Sequence, residues 1–126
     1  MKIAVAGSVA RDHLMTFPGK FTDAIVADSL ETLSLSFLVN DLDIRRGGTG
    51  ANIAFGLGCL GVNPILITAA GKDFADYQAW LQRHGVDTSH VRVSNDLLTA
   101  TFSCTTDSQL RQIASFFPGA MVEGRE

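Results

Sequence analysis

Residues 47–71 read GGTGANIAFGLGCLGVNPILITAAG, and this stretch decides the fold. Two glycines, Gly47 and Gly48, precede a run from Ala51 to Leu60. Within it Ile53, Leu57 and Leu60 fall at helical spacing, with Ala51, Ala54, Phe55 and Gly58 beside them. Gly61 stands where a helix commonly ends in a left-handed residue. Pro64 to Ala70 follows as an unbroken apolar run, the pattern of a strand buried on both faces of a parallel sheet. The 21 residues from Ala51 to Gly71 carry no charge, a length that could cross a membrane. Asn52, Asn63, Pro64 and the cluster Gly56, Gly58, Gly61 argue against a span, and Gly61-Val62-Asn63-Pro64 breaks it with a turn. The stretch reads as a helix followed by a strand.

Working outward, Lys2 to Ala6 is a second apolar run and predicts a buried strand ending at Gly7. Ser8 to Lys20 reads as a polar loop with a turn at Pro18-Gly19. Thr32 to Val39 alternates through Leu33, Leu35, Phe37 and Val39, which predicts a half-buried strand. After a turn at Asn40-Asp41, Leu42 to Arg46 alternates again. The two form an expected hairpin whose polar face carries Ser34, Ser36, Asp43 and Arg45. Asp73 to His84 predicts a second helix, with Phe74, Tyr77, Trp80 and Leu81 on one face and Gly85 after it. His90 to Val93, Ala100 to Thr106 and Ile113 to Phe117 read as strands. The order places the chain in the α/β class, with parallel units and an antiparallel insertion.

The chain has 126 residues, 46% apolar and 18% charged, as expected of one globular domain. Its net charge of −3 gives no reason to expect nucleic acid or an anionic membrane as partner. The N-terminal apolar run is too short for a secretory signal. Cys59 and Cys104 read as buried free thiols of a reducing cytosol, with one disulfide as the alternative. His13, His84 and His90 are scattered, and no pair has metal-ligand spacing.

Adjacent glycines let a ligand approach the backbone, and the first N–H groups of the following helix point outward. Asn52 adds a donor and an acceptor there. A hydroxyl-bearing or anionic ligand suits this place; a glycine-rich turn with Asn52 as local cap suits the same residues equally well. Asp12, after the first strand, lies at the edge where α/β sheets bind ligands. Its carboxylate could accept from two vicinal hydroxyls, or be a solvated loop aspartate. Phe37, Phe102 and Phe116 are placed on separate strands, as base-stacking rings or as ordinary core. Gly56-Leu57-Gly58-Cys59-Leu60-Gly61 matches a dinucleotide fingerprint but ends a helix instead of opening one, so tight helix packing is the better reading. Gly71-Lys72-Asp73 is not a P-loop.

The set Gly47, Gly48, Asn52, Ala54, Gly61 and Gly71 resembles the first signature of the PfkB (ribokinase-like) carbohydrate kinase family. Asp12-His13-Leu14-Met15, Ser34 to Val39 and Gln112 to Met121 look most like the bacterial, actinobacterial-type adenosine kinases of that family. The resemblance implies the N-terminal part of a ribokinase-like α/β sandwich across residues 1–126. Its small antiparallel lid sheet would be drawn from about 12–46 and 90–106. It implies a substrate site of Ser8, Asp12, Ser36, Gly47, Gly48, Asn52, Phe102 and Phe116, taking adenosine or a sugar. It implies ATP and Mg²⁺ in the complete enzyme with neither held by these residues, a homodimer through the lid, and a cytoplasmic setting. The family's catalytic Asp stands in a Gly-Ala-Gly-Asp motif, and no such string occurs here. The expectation is an N-terminal piece without the ATP-binding half. A non-catalytic remnant serving as a dimerising lid is the alternative of a different class.

Overall fold

The computed structural model describes residues 1–25 and 27–125. Two sheets organise the chain. The first is parallel, in the order β1 (Ala4–Ala6), β4 (Ile65–Ala70), β5 (Val91–Val93). The second has four strands, in the order β3 (Asp41–Gly47), β2 (Ala10–Thr16), β6 (Ala100–Thr106), β7 (Gln112–Phe117). Helix α2 (Thr49–Cys59) leads from β3 of the second sheet to β4 of the first, α3 (Ala75–Arg83) joins β4 to β5 within the first, and a short helix α1 (Phe21–Ala24) precedes a 3₁₀ segment, Ala27–Thr32.

The core forms where α2 and α3 cover one face of the parallel sheet. Val5 and Leu66, in register on β1 and β4, meet Ala51 and Ala54 of α2 and Tyr77 and Leu81 of α3. Leu66 and Leu81 are fully buried, each worth about 1.5–3 kcal/mol in transfer free energy. Small residues on α2 allow close approach. An added Cβ at Gly58 would collide with the His84 carbonyl, so of the fingerprint-like glycines Gly58 serves packing between α2 and the end of α3, while Gly56 and Gly61 face open space. The opposite face of the sheet is covered in part by a second 3₁₀ segment, Gly119–Arg125, and leaves Ala4, Ala6 and Ile67 exposed.

Several expectations need correction. Asp12 is not in a loop: Ser8 to Lys20 contains β2, the strand paired with β3 on one side and β6 on the other. Its run Ala-Arg-Asp-His-Leu-Met-Thr is neither apolar nor alternating, and pairing on both edges overrides weak propensity. Thr32 to Val39 forms no strand, so the hairpin with Leu42 to Arg46 does not exist. Phe37 instead packs on Phe17 and Phe21, each pair of ring centroids 5.0 Å apart. His90 to Val93 supplies β5 of the parallel sheet, not a lid strand. The four-stranded sheet is mixed, not antiparallel, because β2 and β6 run parallel. Cys104 is buried, but Cys59 is exposed; both thiols are free. Among the described residues no helix is long and apolar enough to cross a membrane.

Candidate functional site

The register of the four-stranded sheet sets Asp12 opposite Phe102 on β6, and Phe102 opposite Phe116 on β7. Residues in register on neighbouring strands project to the same face. One carboxylate and two aromatic rings therefore stand in one row. Two strand spacings span about 10 Å. Arg45 extends the row on β3, with its guanidinium 2.6 Å from Asp43. Asp12 and Phe102 are half-buried, whereas Phe116 is 54% exposed.

At the end of β3 the chain turns into α2 over these residues. Gly47 lies diagonally across from Asp12 and is buried. A Cβ there would stand 2.5–2.8 Å from all three atoms of the Asp12 carboxylate group. Gly47 is thus the floor on which that carboxylate rests. Gly48 has φ 95°, and a Cβ there would lie 2.5 Å from the Ser8 carbonyl oxygen and from the Val9 Cα. Only glycine fits both demands. Two of the N–H groups at the helix start are taken within the chain. The Thr49 N–H donates to the Ser8 hydroxyl at 3.0 Å, and the Ala51 N–H donates to the Ser8 carbonyl at 3.0 Å. Ser8 therefore caps α2 from across the chain. Asn52, in the first turn, keeps an exposed side chain while its N–H donates to the Gly48 carbonyl at 2.9 Å.

Helix α3 grips the same corner. The Tyr77 hydroxyl donates to the Gly47 carbonyl at 2.9 Å. Arg46 donates to Asp76 at 3.1 Å and lies over the Trp80 ring, 4.9 Å from its centroid. Arg11, directly opposite Arg46, pairs with Asp73 at 3.4 Å and donates to the Asp73 carbonyl. Like charges facing each other across a sheet repel, and one carboxylate for each removes that conflict. Asp73 also accepts from the Thr99 N–H at 2.8 Å and the Thr99 hydroxyl at 2.7 Å. Burial works against its charged form, but the Thr99 donors and the Arg11 charge outweigh this and hold its pKa below the ordinary carboxylate value. Gly71 donates its N–H to Thr99 and has no room for a Cβ beneath the Leu98–Thr99 peptide.

The structure brings Asp12, Phe102 and Phe116 into one row and sets Gly47 beside Asp12 and Gly48 against the Ser8–Ala10 main chain. Ser8 and Asn52 flank the start of α2. Ser36 is exposed in the irregular stretch 33–39, next to Phe37 in its three-ring cluster. Sequence reading missed Tyr77, Arg11, Asp73 and Thr99 as parts of this corner, since contacts 26 to 62 residues apart leave no local pattern. A cleft of about 410 Å³ lies elsewhere. It opens on the less covered face of the parallel sheet, between Ala6, Ile67, Arg92 and Glu123. Among the described residues no group of three acidic, His or Cys side chains could hold a metal ion.

Residues 12–125 match the family model described as pfkB family carbohydrate kinase. A nucleoside kinase of Methanothermobacter thermautotrophicus is 30% identical over 112 residues, which cover 87% of this chain and 36% of that protein. The structure of Burkholderia thailandensis nucleoside kinase in complex with inosine matches 97% of this chain at 34% identity and a TM-score of 0.77. The match covers 38% of that protein. A nucleoside kinase of Methanocaldococcus jannaschii, an archaeal member of the ribokinase family, matches 94% of this chain at 26% identity and a TM-score of 0.78. The chain thus spans well under half the length of these relatives.

Proposed function

We propose that this chain, which belongs to the pfkB family of carbohydrate kinases, is the nucleoside-holding part of an ATP-dependent kinase acting on the ribose 5′-hydroxyl of adenosine. One observation carries the reading: the row Asp12, Phe102, Phe116 on a single sheet face. Its length of about 10 Å suits a purine nucleoside lying along it. Asp12 accepts from two ribose hydroxyls, and the carboxylate is a charged acceptor, the stronger kind. Phe102 and Phe116 stack the base. Gly48 and Asn52 close the ribose end, and Ser8 fixes the helix that carries Asn52. The Burkholderia thailandensis relative, solved with inosine, supports a purine nucleoside as the ligand class.

In this reading the chain positions the substrate, and positioning is a main part of phosphoryl-transfer catalysis. ATP, with Mg²⁺, would supply the transferred phosphoryl group to the complete enzyme. The acid–base and phosphate-binding groups of the family motif are not among these residues. The setting is the cytoplasm, where nucleoside and ATP meet.

The other face of the four-stranded sheet supports the second half of the proposal, a homodimer through this lid. Leu42, Ile44, Ile113 and Phe117 project from that face and are 41–58% exposed. Leu42 and Ile44 lie on one edge strand and Ile113 and Phe117 on the other, with His13, Met15, Ser103 and Thr105 between them; these two apolar edges are the surface a second copy would cover.

Titration of the chain with adenosine, followed by its amide resonances, tests the nucleoside reading. Shifts gathered at Asp12, Gly47 to Asn52, Phe102 and Phe116 are expected. Shifts gathered at the cleft between Ile67 and Glu123, or none, would contradict it.

A further inference from the structure

The Tyr77 ring belongs to the core. It is 2% exposed, with ring centroids 5.6 Å from Phe74 and 6.0 Å from Trp80. A phenylalanine would fill the same space. Among the described residues the hydroxyl donates to the Gly47 carbonyl, at 2.9 Å. Gly47 is the residue against which the Asp12 carboxylate is set. A chain of contact therefore runs from α3 through one phenol and one peptide to the carboxylate. Joining α3 to β3 does not itself require the phenol, because Arg46 already makes that join through Asp76 and Trp80.

We propose that Tyr77 is a positioning residue: its hydroxyl fixes the Gly47 peptide and thereby the place of the Asp12 carboxylate that receives the ribose hydroxyls. This rests on the reading of Asp12 given above. The phenol is suited to the task as a constant donor. Burial pushes its pKa up to about 12, with Arg46 lowering it and the nearby Asp12 charge raising it, so it keeps its proton across the working range.

Two measurements on the whole chain test the inference. The first reads the Asp12 carboxyl ¹³C resonance without ligand, in the parent chain and in Tyr77→Phe. The resonance is expected to move; an unmoved resonance would overturn the proposal. The second is a double-mutant cycle with Asp12→Asn, read as adenosine affinity. Tyr77→Phe is expected to weaken adenosine by about two- to tenfold, the value of one hydrogen bond. In the Asp12→Asn background the same change should cost less than about twofold, because the group it positions is gone. An equal loss in both backgrounds would assign Tyr77 a packing role only and sink the inference. If Asp12→Asn leaves adenosine affinity untouched, the nucleoside reading fails by itself, and the carboxyl resonance still decides the part of Tyr77.

Discussion

At Gly48 the backbone runs at φ 95°, and a Cβ would meet the Ser8 and Val9 main chain. Gly48→Ala should therefore destabilise the chain by about 1–3 kcal/mol, seen as a fall of several degrees in Tm. Gly47→Ala presses on a side chain instead. It should displace the Asp12 carboxylate and weaken ligand binding, with a smaller change in Tm. A larger stability loss at Gly47 than at Gly48 would show that the floor is structural. Asp107 offers a test by pH. Its side chain is fully buried and accepts from the N–H groups of Phe21, Gln109 and Arg111, at 3.0, 2.9 and 2.9 Å. Burial disfavours its charge, yet the three donors and the Arg111 charge prevail and lower its pKa. A lowered folded pKa means stability that is present above the unfolded value, about 3.9, and lost as pH falls through the folded one. Thermal melts between pH 7 and 3 should show that loss, and Asp107→Asn should flatten it. A parallel decline in both proteins would assign the effect to other carboxylates, Asp73 foremost.

Among the elements, α3 was legible because its apolar pattern matches what it buries, Phe74, Tyr77 and Leu81. For α2 and β4 the elements were legible but not their faces: Ile53 and Leu60, at helical spacing, and Ile67 are exposed, while the small Ala51 and Ala54 and Leu66 reach the core. The strand β2 was not legible. Its order comes from two neighbours, β3 and β6, and the second is ninety residues away. The stretch 33–39 misled for the converse reason: it alternates, but no strand pairs with it. Its aromatic residue was taken by Phe17 and Phe21 instead. Phe37→Ala should accordingly lower Tm and leave the ratio of adenosine to ribose affinity unchanged. A change in that ratio without a change in Tm would return Phe37 to the binding site. Gly47, Gly48 and Asn52 were legible together because they lie within one turn of sequence; Asp12, 35 residues before Gly47, meets them only through the pairing of β2 with β3. Its support from α3 was not.

For the molecule as a whole, the family motif bearing the catalytic Asp is absent from these 126 residues. The chain is expected to bind nucleoside without transferring phosphate. A coupled assay with ATP and adenosine should stay at background; turnover that scales with chain concentration would contradict this. The central claim is that the row Asp12, Phe102, Phe116 holds a nucleoside by its ribose and its base. The most direct measurement is the affinity of adenosine and of ribose for the parent chain, Phe102→Ala and Asp12→Asn. A stacked base contributes roughly 1–3 kcal/mol per ring, on the order of ten- to a hundredfold in affinity. Phe102→Ala should therefore weaken adenosine by that factor and leave ribose nearly unchanged, while Asp12→Asn weakens both. Equal losses for adenosine and ribose in Phe102→Ala would show that the ring only packs, and a plain sugar would then replace the nucleoside as the ligand.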